Sequence, residues 1–569
     1  MVPRGSQVCV VLAFAGFLGA CESPARVKPW RHAPDPTAEA ANAPGSPILA
    51  EGSGAGSVFA ARDHTLRIHM DAEPGRLSPV VDPSLWARRI TVGTIFEPLL
   101  HYVPGDAQGP ARYTAGLARS WRVTSSGLEI RIELQPGVTF HDGRSLTSSD
   151  VQFTLDAIRD PRKHVDHLRP MLDDVEAVEL VTSLEIRLRL KRPSGWVLRA
   201  LAEIPILPMH MYDGSLLAGG ALVGTGPWKF GSHKSGTVRL VSNDKYWGGK
   251  PAISDIEFVY EPDAAVALTE AKRGELDLVP ALVPAHWPEQ ASAPGLAAAF
   301  APLQLTPPRF RYFEMNASRP LLGDARVRHA LALLIDRRAI AKRVFDGLAR
   351  PASWPIWPGG PVDGPEAPVP DFDPAAAGKL LDQAGWIDSD KDGIRDLNGQ
   401  QLRLTLIGTE KPAPKDTSGP PVKTERDYFV EAARRAGVVI EVKTGGASWL
   451  DKRVGEGGWD LVEMTWNGRV DMDVSAIIGG VGASPASKIP PTRPVQPKVD
   501  RTLDAMAAAW DPAERAKLSK DLAAALAESW PIAGIVADAP QGLVHRRVEN
   551  VKVWDGWIDL GALRFAQPK

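Results

Sequence analysis

Between Gly116 and Ile158 the spacing of hydrophobic and polar positions changes twice, and each change marks an element. Leu128, Ile130, Ile132 and Leu134 alternate with Glu129, Arg131 and Glu133, the period of a strand with one buried face. Pro136-Gly137 and Asp142-Gly143 then bracket a short strand at 138–140, since these pairs supply the dihedrals of tight turns. Thr147 stands three residues ahead of Asp150, a spacing that opens a helix by capping. Val151, Leu155 and Ile158 fall on one face of that helix.

The same reading extends down the chain. Residues 324–347 predict one helix, with Asp324 as N-cap, Gly347 as stop and Val327, Ala330, Leu331, Leu334 and Ile335 as its apolar stripe. Asp373-Pro374 opens another helix that ends at Ala384-Gly385, with proline in the tolerated first position. Leu402, Leu404 and Leu406 alternate as a strand, Trp459–Val462 reads as a second, and residues 512–528 as a helix. No short-period repeat is present.

The N-terminus adds a destination. Val8 to Ala20 is apolar but too short to span a bilayer comfortably. It ends in Leu18-Gly19-Ala20-Cys21, which resembles a bacterial lipobox, so cleavage would leave the Cys21 thiol to carry a lipid. An ordinary secretory signal with an incidental cysteine is the alternative. The chain holds two cysteines, and Cys9 falls in the segment to be removed, so no disulfide is expected. Residues 22–60 are rich in Ala, Pro, Gly and Ser without apolar periodicity, and read as a tether. No later run approaches the length of a transmembrane helix.

Size and charge narrow the class. Beyond residue 60 about 500 residues remain, too many for one core, which predicts two or three domains. The 66 basic and 68 acidic residues are well mixed and the formal net charge is −2, which argues against a nucleic-acid partner.

Several motifs occur together in order: Glu97-Pro98-Leu99, Leu117-Ala118-Arg119-Ser120-Trp121, Phe140-His141-Asp142-Gly143, Gly224-Thr225-Gly226-Pro227, Tyr246-Trp247-Gly248-Gly249-Lys250-Pro251 and Gly274-Glu275-Leu276-Asp277. With the helices at 324 and 373, this set resembles the family 5 extracellular solute-binding proteins, the oligopeptide-, dipeptide- and nickel-binding receptors of ABC importers. The resemblance implies an α/β, two-lobed periplasmic-binding-protein fold (cluster C type) with an extra inserted α/β domain and a ligand cleft between the lobes. Carried over by motif, residues 1–20 are a signal peptide and 21–60 a lipid-anchored linker. Lobe I is 61–98, 223–315 and 541–569, the inserted domain is 99–222, and lobe II is 316–540. The implied function is capture of a peptide or similar small solute by hinge closure and delivery to membrane permease subunits. The protein is expected as a monomer, lipid-anchored to the bacterial cell membrane or outer membrane and facing the periplasm or exterior. Two other classes share the fold: a receptor presenting ligand to a signalling sensor, and an exported hydrolase.

Candidate site residues follow from the same comparison. Trp466 ends a strand that in the family leads into the cleft, so it either contacts ligand or packs in the core. In the family's peptide receptors an aspartate three residues later pairs with the peptide's α-amino group, and here Arg469 stands there. An arginine repels an ammonium and attracts a carboxylate or phosphate. Asp471, two residues on, takes the aspartate's role if the register shifts, or pairs with Arg469. Asn467 completes the candidate set. Asp388, Asp390 and Asp392 have the D-x-D-x-D-G spacing of a calcium loop, but Gly399 occupies the twelfth position, where glutamate is expected. A solvated hairpin is the competing reading. His141-Asp142 reads as a structural turn, since neighbours on a strand point to opposite faces. No nucleophile–base motif, histidine metal pattern or P-loop appears, so no catalytic residue and no cofactor is assigned.

Overall fold

The computed structural model describes residues 64–104, 111–212, 216, 222–282, 286, 290–305, 309–410, 423–466, 471–479, 493–494, 496–554 and 556–566. The signal segment, Cys21, the tether, Asn467 and Arg469 lie outside these residues.

Three sheets carry the architecture. In lobe I, seven strands lie in the spatial order Phe300–Gln304, Gln541–His545, Leu278–Val279, Thr65–Met70, Asp255–Tyr260, Thr237–Ser242 and Trp228–Lys234. Thr65–Met70 runs parallel to both of its neighbours. In lobe II, six strands lie in the order Arg350–Pro351, Ile532–Asp538, Arg309–Met315, Leu461–Trp466, Arg403–Thr409 and Val439–Gly445. Every residue of Ile532–Asp538 is buried, the continuous apolar run of a strand covered on both faces.

The inserted domain is an antiparallel sheet of Ala118–Val123, Glu129–Leu134, Glu185–Leu190 and Val175–Thr182. Here alternation does its work. Ile130, Ile132, Ile186 and Leu188 are fully buried, as are Val151, Leu155 and Ile158 of the helix Ser148–Arg159. The opposite face carries cross-strand ion pairs, Arg187 to Glu179 at 2.7 Å and Arg189 to Glu179 at 2.9 Å. Asp150 Oδ2 accepts from the Thr147 amide at 2.9 Å and from its hydroxyl at 3.0 Å, which fixes the helix start.

The cores divide the molecule differently from the sheets. One apolar core is continuous through lobe I and the inserted domain, and lobe II has its own. Mechanically the chain is therefore two bodies. Two crossings join their sheets, from Gln304 to Arg309 and from Asp538 to Gln541.

Four sequence expectations change. Arg309–Met315 belongs to lobe II, not lobe I, because it pairs with Leu461–Trp466 on one side and Ile532–Asp538 on the other. The boundary placed at 315/316 therefore moves to the crossing before 309. Residues 324–347 form two helices, Ala325–Leu333 and Arg337–Arg343, because the Asp336 side chain accepts the Ala339 amide at 2.9 Å and starts a new helix. Residues 138–140 make only an isolated bridge, Thr139 to Ser145. Leu128 is 42% exposed, because the strand begins one residue after it.

Candidate functional site

The parallel strands place the site. In lobe I, Thr65–Met70, Asp255–Tyr260 and Leu278–Val279 all end on the edge where Phe300–Gln304 ends and Gln541–His545 begins. In lobe II, Arg403–Thr409, Val439–Gly445 and Leu461–Trp466 end on the edge where Arg309–Met315 begins and Ile532–Asp538 ends. Both crossings connect these two edges. The carboxyl ends of parallel strands therefore face one another across a two-stranded hinge, the position at which open α/β sheets bind ligands. At the crossings a cavity of about 260 Å³ is lined by Gln304 from lobe I and by Leu348, Arg350, Trp357, Ala537 and Ala539 from lobe II.

The lobe II edge is charged and internally neutralised. Asp538 accepts from Arg309 at 2.5 Å and from Arg311 at 2.8 Å, and Arg311 reaches Glu425 at 3.2 Å. Burial alone would raise the Asp538 carboxyl, but Arg311 and Arg309 outweigh it and hold it below its ordinary value. Arg426 pairs with Glu463, its Nε at 2.8 Å, and donates to the Thr409 carbonyl at 3.0 Å, which ties the last turn of one strand to the next. Arg350 lies over the Trp357 ring at 5.7 Å and pairs with Glu366 at 2.7 Å.

Among the described residues, Trp466, Asp471 and the three aspartates at 388–392 occupy different surroundings, and Asn467 and Arg469 lie outside the described residues. Trp466 ends its strand opposite Phe310 and is 7% exposed, within the lobe II core. Asp471 is buried at φ +52°, and both its oxygens face Arg515, Nε to Oδ1 at 3.2 Å and Nη2 to Oδ2. Its carboxylate is spent on that arginine in this conformation. Asp388, Asp390 and Asp392 bring one oxygen each within 4.8 Å of the others. Those carboxylates also accept the turn's own amides, Gly393 at 3.1 Å, Asp392 at 3.2 Å and Ile394 at 2.8 Å, and a two-strand hairpin follows.

Sequence reasoning missed what joins lobe I to the inserted domain. Glu97 is 2% exposed and gathers three motifs. Thr225 donates to Oε2 at 2.8 Å, Trp247 to Oε2 at 3.0 Å and Tyr246 to Oε1 at 2.6 Å. Gly224 and Gly226 make this possible, because a Cβ on either would stand 1.9 Å from the Ile95 carbonyl oxygen or 2.1 Å from that of Thr94. The co-occurrence of the three motifs was a signal, but their meeting point was not.

His141 locks the same seam from the inserted domain. Its amide donates to the Gly224 carbonyl at 2.8 Å, Nδ1 accepts the Gly224 amide at 3.3 Å, and Nε2 donates to the Gly226 carbonyl at 3.0 Å. Asp142 accepts from His210 at 2.6 Å. The turn is therefore structural. Burial pushes His141 down to about 4 from 6.5, and protonation would set an Nδ1–H against an amide donor. The unfolded chain takes up this proton near pH 6.5, so the His141 contribution is full above that pH and is lost as pH falls towards 4. Wild type minus His141→Gln, followed by urea unfolding from pH 7 to pH 4, is expected to lose about 3 kcal/mol of difference. A pH-independent difference would rule out this account.

A two-lobed fold with facing strand edges and a double hinge defines a class of ligand-closing proteins, and comparison with known sequences narrows it. The profile described as bacterial extracellular solute-binding proteins, family 5 middle, matches residues 112–487. The chain belongs to the family 5 bacterial extracellular solute-binding proteins. It is 28% identical over 367 residues to the oligopeptide-binding protein AppA of Bacillus subtilis, covering 61% of this chain and 64% of that one. It is 31% identical over 346 residues to protein XP55 of Streptomyces lividans, covering 58% of each. The chain thus spans roughly three-fifths of the length of these curated relatives. Among solved structures, HbpA2 from Haemophilus parasuis superposes with a TM-score of 0.75 at 20% identity, covering 88% of this chain and 100% of that one. AppA from Bacillus subtilis in complex with a nonapeptide gives 0.62 at 20% identity, covering 88% and 99%.

Proposed function

We propose that this chain is the extracytoplasmic substrate-binding component of an ABC importer, and that it captures a peptide or similar small solute between its lobes without chemical change. Family membership carries the reading. The peptide-binding relatives support the solute class, among them AppA and di/tripeptide-binding protein 2 of Pseudomonas aeruginosa. The physical basis is a pair of bodies joined by two short crossings, so a ligand touching both edges shifts the population towards closure. Trp466, Asn467 and Arg469 are the candidate ligand contacts, and Asp471 joins them only by giving up Arg515. Cys21 would tether the monomer to a membrane, from which it hands ligand to permease subunits.

A panel of dipeptides, tripeptides and nonapeptides, screened by thermal unfolding of the purified protein, tests the reading. At a ligand concentration a hundred-fold above Kd, stabilisation of about 2.7 kcal/mol is expected. A panel that leaves the melting temperature unchanged throughout would overturn peptide capture. Cell fractionation addresses the anchor: wild type should sediment with membranes and Cys21→Ser should not.

A further inference from the structure

The two bodies also touch between the inserted domain and lobe II, where Asp363 lies beside its strand partner Trp357 of the crossing cavity. Tyr102 and Tyr113 sit on the hairpin Leu100–Val103 and Arg112–Ala115 of the inserted domain, with ring centroids 5.4 Å apart. The Tyr102 hydroxyl donates to Asp363 Oδ2 of lobe II at 2.9 Å. The Tyr113 hydroxyl accepts from Arg515 Nη2, on the lobe II helix Pro512–Ser529, at 3.2 Å. The same seam carries one backbone bond, from the Gly195 amide to the Ala507 carbonyl at 2.6 Å, and Trp510 packs half-buried against the inserted-domain side.

This seam is built unlike the one at Glu97 and His141. There, separation would strand buried donors. Here, each side keeps partners of its own. Arg515 retains Asp471 and the Ala509 carbonyl at 2.8 Å and loses only the Tyr113 hydroxyl and Trp196, over which its guanidinium lies at 4.9 Å. The last contact reaches back across the seam. Asp363 retains the Gly359 amide at 2.8 Å. The two phenol rings retain each other, and Arg199 lies 5.1 Å from the Tyr102 ring centre. Parting gives up two hydroxyl contacts to charged groups, one backbone bond, the packing of Trp510 and the contact of Arg515 with Trp196, and water can replace the polar ones.

We infer that Tyr102 and Tyr113 form a releasable clasp between the inserted domain and lobe II, and that this clasp sets the resting balance between lobe arrangements. Rotation about the two crossings must open it or turn around it. The inference concerns the lobes alone and holds whichever solute is bound.

Spin labels on the full chain read it directly. Val266 of lobe I and Val442 of lobe II are 42% and 41% exposed, so Val266→Cys and Val442→Cys, with Cys9→Ser and Cys21→Ser, report the interlobe distance. In Tyr102→Phe/Tyr113→Phe, which keeps both rings, the ratio of other arrangements to the present one is expected to rise about ten-fold. Asp363→Asn should move it in the same sense by less. Tyr246→Phe, at the fixed seam, should lower the melting temperature and leave the distances alone. Unchanged distances in the double phenylalanine variant would overturn the clasp, whatever happens to its stability.

Discussion

Arg515→Ala is expected to destabilise the protein by about 3–5 kcal/mol, as read by urea unfolding at neutral pH. Both partners of the pair are fully buried, with side-chain exposures of 0% for Arg515 and 2% for Asp471. The cost of the variant lies less in the lost attraction than in the carboxylate left behind without a counter-charge. The Asp471 backbone is held at φ +52°, with its amide donating to the Gly360 carbonyl at 3.3 Å. Asparagine tolerates that left-handed backbone, so Asp471→Asn removes the charge and spares the loop. Arg515→Met with Asp471→Asn should then be markedly less harmful than the sum of the two single changes, with a coupling of about 2 kcal/mol or more. Additive effects would mean that the pair is not energetically linked.

How much of this was legible in the chain differs between fold and site. Strand Glu129–Leu134 and helices Ser148–Arg159 and Pro374–Gln383 were readable because each has a local cause: alternation, a cap, or proline at the first turn. The split at Asp336 was not read, because the apolar stripe runs on through Leu334 and Ile335 to the point where the new cap stands. The boundary before Arg309 was not readable, because a strand carries no mark of the sheet it will join. The site was harder still. Arg515 lies in the first turn of a helix, amid charged and alanine residues, where the pattern gives no hint of burial. Its partner is 44 residues away in sequence, and Tyr113 is 402 away. Arrangements made by such distant residues are fixed by tertiary packing alone.

Glu97→Ala is expected to cost a comparable amount, about 3–5 kcal/mol, for a different reason. It leaves three donors facing a cavity, a buried one on Thr225 and partly buried ones on Tyr246 and Trp247. Thr225 belongs to one segment and the adjacent Tyr246 and Trp247 to another, so one truncation loosens both the return of the chain into lobe I and the loop beyond it. Burial raises the Glu97 carboxyl above its ordinary value although all three donors oppose this. The folded state therefore holds its proton to higher pH than the unfolded chain. The Glu97 contribution is greatest at low pH and declines as pH rises through the folded value, opposite in sign to His141. Glu97→Gln separates charge from hydrogen bonding. The amide oxygen can serve Thr225 and Trp247, and the amide NH2 can face a Tyr246 hydroxyl that rotates to accept, so the cost should be near 1 kcal/mol. Hydrogen exchange locates the effect: the amides of Gly226 and Trp228, bonded to the Ile95 and Thr94 carbonyls at 2.9 and 3.0 Å, should lose protection in Glu97→Ala and keep it in Glu97→Gln. Equal unfolding midpoints for wild type and Glu97→Ala would show that the three motifs hold together without the carboxylate at their centre.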